Sequence, residues 1–381
     1  MSTGWRMLYY MRNYARDSRT SYVHRDEIGA VSMRRKIALL AILLMLVTVG
    51  VADSSNRALQ VLAKQPQDNI VIMIDPGHGG ENLGGQPEGY DEKEITLKTA
   101  EAMRLELEKY DGVTVYMTRT EDVELSLKER AELADAVEAD FLISLHYNMS
   151  AAHEFYGAEV WTQSVGSNYA KGQTLGKVIL DEFADRFPDL YNRGIKVRLG
   201  KNRADYYGIL RESTKKGIPA IIVEHCYMDH DKDADFCDMD TDYALFGKAD
   251  ATAVAKYFGL KSAELKTDYS ESVPKQIAIP RKIMRQDVTP PEVTEVEIAY
   301  QDTKEGMLGL RIKAEDEESG ILYFSCSVDG GQTWSMLQRW NASGKVHRVK
   351  VPGKFYANSR TVIVRSYNGY DVMTESNPVS Y

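Results

Sequence analysis

The chain has 381 residues, of which 43% are apolar and 27% charged, so it can bury one full core and still furnish a second folded unit. Its formal net charge of -9 excludes nucleic acid as a partner of the folded part and argues against an anionic membrane surface, because binding phosphates requires a basic patch. A neutral or mixed-charge substrate suits such a chain.

Residues 1–36 carry eight Lys or Arg against three acids, and 37–52, IALLAILLMLVTVGVA, carry no charge. An apolar run of this length falls between a signal-peptide core of about 7–15 residues and a spanning helix of about 20. It reads as an uncleaved membrane anchor or a cleaved signal, with Gly50 and Ala52 offering a small-residue cleavage pattern before Asp53. Arg34, Arg35 and Lys36 hold the amino end inside in both cases, so everything after Asp53 is expected to be extracytoplasmic. The cysteines, Cys226, Cys237 and Cys326, are odd in number, which in an exported protein leaves at least one unpaired and rules out a disulfide framework. Whether Cys226 and Cys237 pair is left open. Cys326 alternates with polar residues in ILYFSCSVD and faces a core.

Residues 69–260 alternate strand and helix patterns. VIMID leads through a Gly-rich turn to a helix over about 92–110, with Ala100, Met103, Leu107 and Tyr110 on one face. VTVYM follows, then a helix opened by a Ser126/Glu129 capping box, with Leu127, Ala131, Ala134 and Val137 facing inward. Next come FLISLH, GAEVWT, a helix over 167–187 with Leu175, Ile179, Phe183 and Phe187 in register, PAIIVE, and a last helix over 241–258. Repeated strand–helix–strand units predict an α/β domain with a mostly parallel twisted sheet covered by helices on both faces.

Residues 261–288 lack helical or strand period and read as a linker. From 289 to 381, stretches such as GMLGLRIKA, ILYFSCSVD, TWSMLQRW, VHRVKV and TVIVRSY alternate between turn signals. They predict about seven strands in a smaller all-β sandwich. Trp334, Trp340 and Tyr356 are expected to pack in its core or edges rather than to contact glycan.

Three apolar strands run straight into residues suited to metal chemistry: His78 after VIMIDPG, His146 in FLISLH, and Glu224 after AIIV. In an open α/β sheet the carboxyl ends of strands border the crevice where ligands bind. A catalytic zinc site takes three His or carboxylate ligands and keeps a fourth position open. His78 and His146 are the best two ligands. His24, His153, His225, His230 and His347 follow no strand in this way, and the spacing of His225, Cys226, His230 and Cys237 matches no standard metal pattern. The third ligand is a carboxylate of DEKE, and spacing alone does not separate Glu92 from Glu94. Acids there also complement a helix dipole, worth about 0.3–1 kcal/mol. Glu224 emerges from an apolar run, and desolvation raises a carboxyl pKa toward the range needed to take a proton from an attacking water.

DPGHGG, EKEITL, a TR followed by a helix with Arg130, SLHYN, RGIK at 193–196, ILRES and IPAIIVE together resemble the zinc-dependent N-acetylmuramoyl-L-alanine amidases of the Amidase type 3 group, over about residues 69–260. The resemblance implies zinc held by His78, Glu92 and His146, Glu224 as the general acid/base, and hydrolysis of the muramoyl–L-alanine amide of peptidoglycan. It selects Glu92 over Glu94 because the family ligand directly precedes a Lys, here Lys93. The chain departs after Glu224, where such amidases show a small residue, Gly-Phe and an Asn two residues on; here stand His225, Cys226, Tyr227, Met228 and Asp229. The last 93 residues resemble bacterial Ig-like modules, including the SVDGGQTW turn, with a spacer or wall-binding role the default. A zinc peptidase acting on stem peptides and a non-catalytic wall-binding protein are the competing readings. A protein activator is not specified by the sequence.

Overall fold

A computed structural model describes residues 69–87, 89–342, 344–355 and 360–381; the apolar 37–52 segment and Tyr356 lie outside these. The first part runs β1 (Ile70–Pro76), α1 (Glu92–Leu107), β2 (Val113–Met117), α2 (Leu127–Ala136), β3 (Phe141–Asn148), β4 (Ala158–Thr162), α3 (Gly166–Arg186), β5 (Asn192–Lys196), α4 (Gly208–Lys216), β6 (Ala220–Tyr227), α5 (Asp231–Ala234) and α6 (Asp240–Phe258). Its six strands lie in the order β2-β1-β3-β6-β4-β5.

Strand alternation sorts the side chains onto two faces. Ile72, Ile74, Ile143, Leu145, Ile221 and Val223 point to a core shared with Ile95, Met103 and Leu107 of α1, Leu175, Ile179 and Phe183 of α3, and Phe246 and Val254 of α6. Met73, Leu142, Ala220 and Ile222 point the other way, against Ala134 of α2 and Ile209 and Leu210 of α4. The expected capping box forms, with Ser126 Oγ accepting from Glu129 N and Glu129 Oε2 accepting from Ser126 N. Leu127 is a correction: as the first helical residue it sits at the rim and is 46% exposed.

The sheet is mostly parallel, with one reversal. β1/β2, β1/β3, β3/β6 and β4/β5 pair in parallel, but β4 runs antiparallel to β6. Only residues 149–157 connect β3 to β4, too short for the crossover of a dozen or more residues that a parallel return needs. The reversal brings Glu159 of β4 opposite Glu224 of β6, while His146 of β3 pairs with Glu224 from the other side.

The 261–288 segment opens with a small hairpin, β7 (Lys261–Ser262) and β8 (Thr267–Asp268), joined to the sheet domain by Asp111 N donating to Lys261 O. Beyond it the chain is fixed at intervals: Gln276 Nε2 donates to the Tyr257 hydroxyl and Met284 N to Ser164 O. The last part holds β9 (Val293–Asp302), β10 (Met307–Glu315), β11 (Ile321–Ser327), β12 (Gln338–Arg339), β13 (Val346–Pro352), β14 (Thr361–Asn368), β15 (Met373–Glu375) and β16 (Val379–Ser380). These make two antiparallel sheets, β13-β10-β9 and β12-β11-β14-β15 with β16 on β14. Leu308, Leu310 and Ile312 of the first pack against Phe324, Cys326, Val362 and Val364 of the second. Of TWSMLQRW only Gln338 and Arg339 are strand, because Ser335 turns back to exchange hydrogen bonds with Cys326. Trp340 packs on Phe324 and His347, and Trp334 lies under the Arg365 guanidinium at 3.7 Å.

Ile70–Tyr381 cluster as one unit, and the sandwich is seated against the sheet domain through Tyr156, Tyr191, Tyr323, Leu337 and Tyr367. Among the described residues no helix is long and apolar enough to cross a membrane. All three cysteines are buried free thiols.

Candidate metal centre at the strand ends

The turn after β1 is the first wall of the site, and two buried arginines build it. Asp75 accepts from Thr118 Oγ1, Ser144 Oγ and Arg130 Nη1 at 2.6–2.7 Å. Arg130 then reaches the Pro76 and His78 carbonyls, while Arg119 donates to the Pro76, Gly77 and Lys93 carbonyls. These charge-assisted bonds satisfy the carbonyls of a turn that would otherwise be free to move. They hold His78 at φ +59°, a left-handed conformation that a non-glycine residue keeps only when its surroundings impose it. His78 Nδ1 lies 2.9 Å from Asn82 Oδ1; donating there fixes the tautomer and leaves Nε2 facing inward.

Glu92 opens α1 and is buried between the two histidines. Its Oε2 lies 3.0 Å from His78 Nε2 and its Oε1 3.0 Å from His146 Nδ1. Gly85 N and Tyr147 N donate to the same carboxylate. Burial opposes its charge, yet the bonds from His146 and His78 prevail and hold its pKa well below the ordinary value. His78 shows the reciprocal effect: burial lowers its pKa, but Glu92 raises it by more. One donor atom each from His78, Glu92 and His146 fall within 4.8 Å of one another, close enough for a single ion. Among the described residues this is the one such group found.

The structure therefore brings His78, His146 and Glu92 together, with Glu224 on the strand next to His146. The Glu224 Oε2 is buried without a hydrogen-bond partner among the described residues. Burial first, then the negative charges of Glu92 and Glu159, push its pKa well above the ordinary value. An orphaned buried carboxylate oxygen that feels the charges of Glu92 and Glu159 is costly, and its cost falls when a cation occupies the site. The donor set, two His and one Glu, is one used by catalytic zinc.

Close packing fits the backbone to these rings. A Cβ on Gly77 would lie 2.4 Å from His146 Cε1, and one on Gly84 2.6 Å from Glu92 Oε2. Gly77→Ala is expected to displace the His146 ring, lowering activity by about 100-fold, since misplacing a site group by ~1 Å costs that much. Metal titration of the variant alongside its turnover checks this.

Residues 72–256 match the model of the N-acetylmuramoyl-L-alanine amidase family, Amidase_3. The chain is 29% identical over 192 residues to the N-acetylmuramoyl-L-alanine amidase CwlM of Bacillus licheniformis, covering 50% of this chain and 70% of that protein. It is 29% identical over 195 residues to the sporulation-specific N-acetylmuramoyl-L-alanine amidase of Bacillus subtilis (strain 168), covering 50% and 69%, and 30% identical over 173 residues to YqiI of the same organism, covering 45% and 77%. The chain belongs to the N-acetylmuramoyl-L-alanine amidase family.

The amidase domain also uses residues that its sequence did not single out. His225, whose spacing to Cys226, His230 and Cys237 matches no standard metal pattern, is wholly buried: Nδ1 lies 2.9 Å from His146 O and Nε2 2.8 Å from Asp250 Oδ2. It braces the backbone of His146 against α6. Asp229 and Asp233 fasten the amidase rim. Asp229 accepts from Ser150 N and pairs with His153, and Asp233 accepts from Gly157 N and Tyr227 N. Acids spaced four apart in a polar stretch read as surface, and only the return of β4 shows the loop they hold.

Proposed function

We propose that this amidase hydrolyses the amide between the lactyl group of N-acetylmuramic acid and L-alanine in peptidoglycan, with zinc held by His78, Glu92 and His146 and with Glu224 as general acid/base. The observation that carries this is the convergence of three donor atoms within 4.8 Å, with Glu224 paired to His146 in the ladder and its Oε2 buried without a hydrogen-bond partner among the described residues, in a domain matched by an amidase family model. Bound there, zinc supplies Lewis-acid polarisation of the scissile carbonyl and lowers the pKa of a water to about 7. Glu224 Oε2 accepts the proton of the attacking water and returns it to the departing L-alanine nitrogen. His78 is held ready by Asn82 and by the Arg130 bond to its carbonyl, and His146 by the His225 bond to its carbonyl.

The relatives from Bacillus licheniformis and the sporulation-specific protein of Bacillus subtilis are amidases, and this chain's substrate on that reading is the wall outside the membrane. The apolar 37–52 segment is the export or anchoring element, and the last 93 residues form an Ig-like sandwich. Stripping the metal is the direct check. Chelation is expected to reduce hydrolysis of a muramoyl-tripeptide to below ~1%, restored by one zinc per chain. A zinc-replete protein that leaves the muramoyl amide intact contradicts the assignment.

A further inference from the structure

We propose that the C-terminal sandwich completes the support of the catalytic site, its Asp371 and Tyr323 acting through Arg193 as positioning residues for Glu159 beside Glu224. The inference rests on the amidase reading for the identity of the reaction, and on geometry for the connection.

Arg193 is wholly buried at the amidase–sandwich boundary, and its guanidinium has three partners. Nε donates to Glu159 Oε2 at 2.8 Å, Nη1 to the Tyr323 hydroxyl at 2.9 Å and Nη2 to Asp371 Oδ2 at 2.7 Å. Two of these three partners belong to the sandwich. The guanidinium carbon also lies 5.1–5.4 Å from the ring centroids of Phe155, Tyr227 and Tyr323, so the sandwich supplies part of its aromatic enclosure. A planar guanidinium fixed along three directions has one orientation.

Glu159 receives the result. Its Oε2 also accepts from Lys196 Nζ at 2.7 Å, and its Oε1 accepts from Asn148 Nδ2 and Trp161 Nε1, each at 3.1 Å. Four donors leave it no freedom to turn. It sits directly opposite Glu224 in the β4–β6 ladder, and through Asn148 it grips the end of the strand that bears His146. The cluster balances only with the sandwich present: Arg193 and Lys196 face Glu159 and Asp371. Without Asp371 a buried positive charge is uncompensated, and Arg193 must move toward Glu159 or toward water.

The boundary is continuous around this cluster. Val197 N donates to the Tyr370 hydroxyl, the Tyr191 hydroxyl to Leu322 O and the Tyr323 hydroxyl to Tyr156 O. A spacer held by a free linker has no need of such contacts.

The test uses the full-length protein, a soluble muramoyl-tripeptide, and ¹⁵N-labelled tryptophan. Asp371→Asn and Tyr323→Phe are expected to lower kcat by about tenfold, the lower end for partners that orient a metal site, with KM within twofold and zinc content unchanged. Asp371→Glu, which keeps the charge, is expected to recover most of the loss. In Asp371→Asn the Trp161 indole N–H resonance is expected to shift, because its acceptor is Glu159. This readout needs no turnover, so it stands if the wild-type protein proves inactive on the substrate, a result that would count against the amidase reading instead. Should Asp371→Asn fold poorly, Tyr323→Phe, which removes one hydroxyl, carries the kinetic test. Unchanged kcat in both variants, or an unmoved Trp161 resonance, overturns the proposal.

Discussion

Glu224→Gln is expected to lower kcat by about 10²–10⁴-fold, the usual contribution of a general acid/base, while one metal ion per chain is retained. The substitution keeps the shape of the side chain and removes its basicity. Burial and the charges of Glu92 and Glu159 raise the Glu224 pKa, so this carboxyl adds little negative charge to the centre and binding of a cation weakens only modestly in the amide variant. His78→Ala, by contrast, deletes a donor of the three-atom group and is expected to lose metal and activity together. Metal analysis and turnover on the same samples separate the two outcomes. Near wild-type turnover in Glu224→Gln would remove Glu224 from the chemistry.

The largest expected effect on folding is at Arg130. Its Nη1 pairs with Asp75, both side chains nearly inaccessible, and removing one partner of such a pair costs about 3–5 kcal/mol because it strands a buried charge. Against a typical total of about 5–15 kcal/mol, Arg130→Met is expected to fold marginally. The loss depends on pH, and its sign follows from Asp75. Burial raises the Asp75 pKa, but Arg130, Thr118 and Ser144 together bring it below the ordinary 3.8. The stability this carboxylate contributes is present above pH 3.8 and fades as the pH falls through its lower folded value. In Arg130→Met only burial and the two hydroxyls remain, so Asp75 takes up a proton readily. The stability gap between variant and wild type is therefore expected to be widest near neutrality and to narrow on acidification, which denaturant unfolding at several pH values measures. A gap independent of pH would assign the loss to packing around the Met side chain.

How much of this was legible beforehand depends on distance along the chain. His78, His146 and Glu224 stood out because each follows or ends an apolar run at the edge where an α/β sheet binds ligands, and the structure places His78 in the turn after β1, His146 on β3 and Glu224 on β6, three strands that neighbour one another in the sheet. Glu92 was not separable from Glu94 by spacing; the fold turns Glu92 between the two histidines, and Glu94 is exposed. The reversal of β4 could have been read from its nine-residue connection, but a strand pattern alone carries no direction. His225 was unreadable for a different reason: its partner Asp250 is 25 residues on, inside what looks like an ordinary amphipathic helix. The Arg193–Asp371 pair spans 178 residues, and Asp371 stands in an NGYD turn that has every local mark of an exposed loop. Local pattern finds the strand ends and cores; it does not reveal which surface-looking turn meets which buried cation.

The central claim is that the strand-end centre cuts one particular bond, and mass spectrometry of peptidoglycan digested by the full-length protein, with and without a zinc chelator, tests it most directly. The account predicts zinc-dependent release of stem peptides with a free L-alanine amine from glycan strands left uncut and ending their lactyl groups in carboxylates. Zinc-dependent cleavage inside the stem peptide, with L-alanine still joined to muramic acid, would contradict it.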